Sequence, residues 1–328
     1  FVFGELTTIA SVSLIGLSGV SASRPAIRTF LLTAMGGLAL LAAVVLLIVR
    51  TGTTQLSAIL ADTSWTQDTG FASLVAVLVA VAVFTKSVQF PFHYWLPDAM
   101  AASTPVSAYL HAAAMVKAGI YLAMRFTPAF GDLMVWNTLL ITLGLTTAVI
   151  GAVFALQQHD LKRLAAFSTV SQLGFLVAVI GVGTPAALVA AAVHTVAHAL
   201  FKSALFMVVG LVDIQTGTRD LRQLGGLRRR MPVTATVAAL SALSMAGIPP
   251  LLGFISKENL FESLLHAPGP AWFGPVAGAV AVAAAAFTFA YSFRFVYGAF
   301  GGEPRGDARE RTATEARSSF WFPAYCSV

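Results

Sequence analysis

Long apolar runs alternate with short polar gaps along most of the chain. A bilayer-spanning helix needs about 20 apolar residues, and by that measure about nine runs qualify: roughly 1–18, 28–49, 71–99, 106–125, 134–156, 162–183, 187–211, 233–266 and 272–299. The runs 71–99 and 233–266 are too long for one simple crossing. Pro91 and Pro97 interrupt the first, and Pro249 and Pro250, with Gly247 and Gly253, interrupt the second. A proline inside a helix removes a backbone hydrogen bond and presses on the carbonyl four residues back. A matched pair of broken spans is the sequence sign of an inverted-repeat transporter with its site near the bilayer midplane. The pattern therefore predicts an all-α polytopic membrane protein, built of inverted five-helix repeats with two proline-broken transmembrane helices. Residues 1–126 read as part of a first repeat, 127–302 as a second, and 303–328 as a polar tail outside both.

Composition sharpens the class. The 328 residues are 57% hydrophobic and 10% charged, where soluble domains carry about 25% charged residues. A single cysteine, Cys326, excludes an intrachain disulfide framework and a multi-cysteine metal or iron–sulfur site. The net charge of +6 reads as membrane orientation rather than nucleic-acid binding. If the first span runs outside to inside, Arg24 and Arg28, Lys162 and Arg163, Arg219, Arg222 and Arg228 to Arg230, and the tail all fall inside. That arrangement obeys the positive-inside rule and predicts a multi-pass cell-membrane protein with its arginine-rich loops cytoplasmic. LRQLGGLRRRMP would lie against anionic lipid. The start, FVFGELTTIASVSLIGL, has no charged n-region with a cleavage site, and the sequence reads as a piece of a longer protein. No phosphate loop, nucleotide fingerprint or Ser/His/Asp set occurs, so no cofactor is called for.

The candidate chemistry lies inside the apolar runs. Val83–Lys117 carries Lys86, His93, Asp98, His111 and Lys117 together with Pro91, Pro97 and Pro105. A charge at the centre of a membrane helix costs roughly 3 kcal/mol on insertion scales, so such residues point to a polar path. The cations are sorted: the fifteen arginines fall in loops, in the tail or near helix ends. Lys86, Lys117 and Lys202 lie within spans, Lys257 follows the second break, and Lys162 opens a span. Lysine can lose its proton when desolvated and so can relay one, which arginine does not do. His194, His198 and Lys202 are spaced i, i+4 and i+8, on one helix face with about 6 Å between steps. They fit a proton wire, interhelical hydrogen bonding or, with a third ligand, a metal site. Glu5, the only acid in the first run, either faces Lys86 or reaches the interface. His111 and Lys117, six residues apart, fall about 240° apart on a regular helix, so they do not share a face. Lys257, with Glu258 and Glu262, reads as the path's outlet or as a solvated helix end. Asp98 reads as a cap on the turn after Pro97.

The segments TKSVQFPFHYWLPDAMAASTPVSAYLHAAAMVKAGIYL, HDLKRLAAFSTVSQLGF, HTVAHALFKSALFMVVG and AGIPPLLGFISKENLF resemble the proton-conducting membrane transporter family. That family holds the antiporter-like subunits of NADH–quinone oxidoreductase and of Mrp-type multisubunit Na+/H+ antiporters. FGELTTIASVSLIG and HAAAMVKAGIYL look most like the A subunit of the Mrp type; the oxidoreductase counterpart usually has threonine at Lys117. The resemblance covers about residues 1–300. It implies a fourteen-helix core of two inverted five-helix units, with about helices five to thirteen present here. It also implies a proton path along Glu5, Lys86, His111, Lys117, Lys162, His194, His198, Lys202 and Lys257. Glu5 and Lys86 match the acid of the fifth helix and the lysine of the first broken one. The expected function is the ion-translocating core of a Na+/H+ antiporter, not an enzyme, working with partner subunits, H+ and Na+ in a lipid bilayer. The alternative is a proton-pumping subunit of NADH–quinone oxidoreductase. The tail after about 303 departs from the family's next helix.

Overall fold

A computed structural model describes residues 1–303 and Arg305. The expected tail, with Cys326, otherwise lies outside the described residues. Ten helices carry the architecture: α1 Val2–Gly16, α2 Ser23–Thr51, α3 Thr69–Lys86, α4 Met115–Phe130, α5 Met134–Gln157, α6 Leu161–Ile180, α7 Pro185–Thr216, α8 Pro232–Ala246, α9 Leu252–Leu265 and α10 Phe273–Phe300. Shorter helical pieces fill the gaps between them. Among the described residues there is no strand, only an antiparallel bridge between Asp160 and Asp220. The protein is an all-α polytopic membrane protein. Seven helical stretches among the described residues are long and apolar enough to cross a membrane. The two other expected spans appear as the 15-residue α1 and as the short pair α8 and α9, which meet at the second break.

Local chemistry fixes the ends. The Asp68 carboxylate accepts from the Phe71 amide before α3, and Asp160 accepts from the amides of Lys162 and Arg163 at the start of α6. Thr184 accepts from Ala187 and is followed by Pro185 in the first turn of α7, where a missing amide is tolerated. Gly217 and Gly247, at φ 69° and 84°, close α7 and α8 in the left-handed conformation that favours glycine.

The core is organised around α6. Every side chain in it is buried except those of Arg163 and Phe167, as expected of a helix enclosed by others. Its contact with α5 is backbone to backbone. A Cβ added at Gly144, Gly151 or Gly174 would stand 2.6, 2.6 or 2.4 Å from a backbone nitrogen of the facing helix. Small residues let membrane helices approach this closely. At the periphery, Phe3, Val49, Val189 and Ile214 expose apolar side chains.

Both breaks occur, and the first falls beside Lys86, at the turn that Pro91 weakens four residues back. Helix α3 ends at Lys86 itself, and Val88, a β-branched residue, sits at φ 61°. The chain then passes through short turns to Thr104–Ala108 and a π-helical turn at Tyr109–Ala113 before α4. The freed backbone groups find protein partners, as they must at membrane depth. The Phe90 amide donates to Thr147 Oγ1 at 3.0 Å, and Trp95 Nε1 donates to Thr85 O at 2.9 Å. At the second break a Cβ on Gly253 would lie 1.7 Å from Ser244 O, so α9 starts against the end of α8. Arg24 and Arg28, expected in a loop, lie on the first turns of α2, because that helix begins at Ser23.

Candidate functional site

The lysine of the first break is fully coordinated. Lys86, 4% exposed, donates to Gly4 O at 2.7 Å, Thr8 Oγ1 at 2.6 Å and Glu5 Oε1 at 3.2 Å. All three ammonium hydrogens thus have acceptors on α1. The question left open by sequence is answered in favour of pairing. Glycines make the room: a Cβ on Gly37 would stand 2.3 Å from Glu5 Oε1, and one on Gly36 would stand 1.8 Å from Thr85 Oγ1. Beside Lys86, the Ser87 hydroxyl donates to Val116 O at 3.0 Å, next to Lys117.

A second group gathers along α7. His194 Nδ1 is 3.0 Å from Ser256 Oγ on α9, and Ser256 Oγ donates to Gly253 O at 3.0 Å. Lys202 donates to Ser168 Oγ at 2.5 Å and Ala165 O at 3.0 Å on α6. Lys117 donates to Thr195 O at 3.1 Å, and the His111 ring lies 5.0 Å from that of Phe206. His111 and Lys117 therefore both face α7. The 240° separation fails because the π-helical turn and Ala114 interrupt the 3.6-residue repeat between them.

Electrostatic reach orders this group. His111 feels the charges of Lys202 and Lys162; His198 feels Lys117, Lys202, His194 and His111; His194 feels Lys257 and Lys117. His111, His194, His198 and Lys202 are fully buried, and Lys162 and Lys257 are nearly so. Both ring nitrogens of His111 and His198, and Nε2 of His194, are buried without a hydrogen-bond partner among the described residues. Lys162 donates to Ala102 O. Lys257 donates to Ala246 O at 3.3 Å, at the C-terminus of α8, and points inward while Glu258 and Glu262 are exposed. No hydrogen bond among the described residues links Lys86 to these seven, and no third His, Cys, Asp or Glu joins His194 and His198 as a metal cluster.

Sequence reasoning missed the hydroxyl partners. Thr8 sits three residues from Glu5, and Ser256 directly precedes Lys257; helical spacing from Glu5 would have flagged the first. Ser168 carried no comparable signal. Asp98 is not a cap: its Oδ2 pairs with Arg28 NH1 at 2.5 Å, joining the broken segment to α2. His93 is buried, its ring 4.1 Å from that of Tyr94 and 6.4 Å from that of Phe154.

This architecture has close relatives. The Mrp complex from Dietzia sp. DQ12-45-1b contains a chain 61% identical, with a TM-score of 0.92, over 98% of this chain and 35% of that one. A chain of the membrane-bound sulfane sulfur reductase, an archaeal respiratory membrane complex, is 28% identical with a TM-score of 0.87, over 99% of this chain and 54% of that one. The Na(+)/H(+) antiporter A subunit of Alkalihalophilus pseudofirmus is 46% identical over 283 residues, 81% of this chain and 35% of its own. The probable K(+)/H(+) antiporter A/B subunit of Rhizobium meliloti is 45% identical over 310 residues, 93% of this chain and 31% of its own. The chain thus spans about a third of the length of these curated relatives. The likeness to the antiporter A subunit in the opening and in HAAAMVKAGIYL agrees with these names. Residues 1–283 match the family described as NADH:quinone oxidoreductase/Mrp antiporter, TM, and the chain belongs to that family.

Proposed function

We propose that this chain is the ion-translocating core of the A subunit of a Mrp-type monovalent cation/proton antiporter. Its substrates are H+ and Na+ (K+ is the cation named for one relative), and its partners are the other subunits of a membrane complex. One observation carries the reading: seven buried or half-buried titratable side chains, from Lys162 through His111, Lys202, His198, Lys117 and His194 to Lys257, follow one another inside a membrane domain, each in electrostatic reach of the next. Five imidazole nitrogens among them have no partner among the described residues. A buried polar atom without a partner costs about 1–3 kcal/mol, and a hydrated relay would relieve that cost while serving transport.

Glu5 and Lys86 form the second element. A carboxylate beside the ammonium favours its charged form, and withdrawal of Glu5 favours release of the proton. The seven-membered group then passes the charge toward Lys257. The two breaks, at Lys86 and at Gly247–Leu251, mark corresponding places in two inverted repeats, residues 1–126 and 127–302. The arginine-rich loops face the cytoplasm and the protein resides in the cell membrane. It works as a secondary transporter with no chemical reaction of its own.

The rival reading, a proton-pumping subunit of NADH–quinone oxidoreductase, shares the family but not the names of the antiporter relatives. Everted vesicles carrying the full-length protein and its partners decide between them. Na+-induced recovery of a pH-gradient dye is expected. A gradient built by NADH oxidation that Na+ leaves untouched would favour the rival.

A further inference from the structure

We propose that the cavity of about 610 Å³ between α2, α5, α6 and the segment that follows the first break is a binding site for an anionic phospholipid, with Arg163 as the group that takes its phosphate. This site stands apart from the proton relay. Its size falls in the range of about 300–1,000 Å³ typical of ligand sites. Every element around it contributes the end that the charge pattern places inside. These are the opening turns of α2 with Arg28, the last turn of α5 with Phe154, the first turn of α6 with Arg163, and Tyr94 and Asp98 of the broken segment.

The wall has two halves, as an amphipathic ligand requires. Leu31, Phe154 and Phe167 make one half apolar. Leu31 is 62% exposed and Phe154 36%, so this half opens sideways toward acyl chains. The other half holds Arg28, Asp98, Gln158 and Arg163. Arg28 and Asp98 neutralise one another in their 2.5 Å pair, and the Gln158 side-chain amide donates to Phe154 O at 3.1 Å. Arg163 differs. Its backbone amide is held by Asp160 at 3.0 Å, yet its exposed guanidinium has no hydrogen bond or ion pair among the described residues. The planar fork of a guanidinium matches a phosphate, and the anionic cytoplasmic leaflet supplies phosphate with acyl chains attached. Arg163 and Phe167, one turn apart, are the two side chains of α6 that are not buried. Both open on this cavity, so the central helix offers a cation beside an aromatic ring where a headgroup meets its chains.

Ring contacts lead from the cavity toward the first break. The Tyr94 ring lies 4.1 Å from that of His93, and the His93 ring lies 6.0 Å from that of Phe90, four residues after Lys86. A lipid lodged against Tyr94 and Phe154 braces the broken segment from the membrane side, while the Arg28–Asp98 pair ties it to α2.

The test is lipid-selective fluorescence quenching in the full-length complex, reconstituted in vesicles. In a background with the native cysteines replaced by serine, Leu31→Cys carries a bimane fluorophore. Val45→Cys, 50% exposed further along α2, is the reference. The vesicles are phosphatidylcholine with either brominated-chain phosphatidylglycerol or brominated-chain phosphatidylcholine as quencher. At Leu31 phosphatidylglycerol is expected to quench at about one fifth of the mole fraction that phosphatidylcholine needs, because one arginine beside an anionic lipid is worth about a factor of five. At Val45 the two lipids should quench alike. Arg163→Gln should remove the preference at Leu31 and leave quenching by phosphatidylcholine as it was. Equal quenching by the two lipids at Leu31, or a preference that survives Arg163→Gln, would reduce the occupant to ordinary annular lipid and overturn the proposal. No quenching by either lipid at Leu31 would mean that a partner subunit covers the cavity, and would overturn it as well.

Discussion

Gly37→Ala probes the Glu5–Lys86 pair without touching either partner. The added Cβ would stand 2.3 Å from Glu5 Oε1 and 2.6 Å from its carboxyl carbon, so the carboxylate has to retreat by about 1 Å to reach ordinary contact. The pair now stands at 3.2 Å, with Lys86 nearly buried and the Glu5 side chain 25% exposed. With an effective dielectric constant of about 20, the attraction is about 5 kcal/mol at this distance and about 4 kcal/mol after the retreat. The loss of about 1 kcal/mol corresponds to roughly a fivefold change in the balance between charged and neutral Lys86. Desolvation offsets much of the gross attraction, but it enters both states and largely cancels in the difference. The assay is Na+-induced dye recovery in everted vesicles, with complex assembly followed by native gel. Antiport is expected to fall about fivefold with assembly intact, in step with that change in balance. Gly16→Ala, on α1 with nothing within 4 Å of the added atom, serves as the control and should behave as wild type. Equal antiport in Gly37→Ala and wild type would refute the tuning of Lys86 by Glu5.

Three further outcomes follow from single contacts. Ser256→Ala leaves His194 Nδ1 without its partner in the second break; a loss of about 1–3 kcal/mol is expected there, read as slower antiport by an assembled complex. Gly174→Ala drives a methyl to 2.4 Å from Ala148 N across the α5–α6 contact and should lower stability by about 1–3 kcal/mol or more, seen as a lower melting temperature of the solubilised complex. Arg222 hydrogen-bonds Asp220 and holds its carboxyl down to about 2. Because the folded value is depressed, the stabilisation is full above the usual Asp range near 4 and fades as pH falls toward 2. Arg222→Gln should therefore make the 217–222 loop more open to proteolysis at neutral pH, a difference from wild type that fades toward pH 2, while antiport is unchanged.

Helices free of polar interruption were legible almost to the residue. The run 134–156 became Met134–Gln157, and 272–299 became Phe273–Phe300. Errors arose where side-chain chemistry and backbone geometry diverge. Arg24 and Arg28 looked like loop residues, yet long arginine side chains can lie along a helix and reach out at its end; Arg28 instead reaches Asp98. Pro91 did mark the weakened turn beside Lys86, where α3 stops, but not the partners that satisfy the break: the Trp95 indole donates to a freed carbonyl and the Thr147 hydroxyl accepts from a freed amide. The π-helical turn at Tyr109–Ala113 left no mark in the hydrophobic pattern, and with it the shared face of His111 and Lys117 was hidden. The i, i+4, i+8 spacing of His194, His198 and Lys202 was readable because α7 runs unbroken from Pro185 to Thr216. Nothing in the sequence singled out Gly36 and Gly37, and only the three-dimensional arrangement reveals that they make room for Thr85 and Glu5.

The first measurement to make is antiport by Lys86→Ala beside wild type, in everted vesicles carrying the full-length protein with its partner subunits. A proton relay through this lysine predicts Na+-induced recovery of the dye in wild type and none in the variant, at equal amounts of assembled complex. Recovery at the wild-type rate in Lys86→Ala would show that protons cross without it and would contradict the relay.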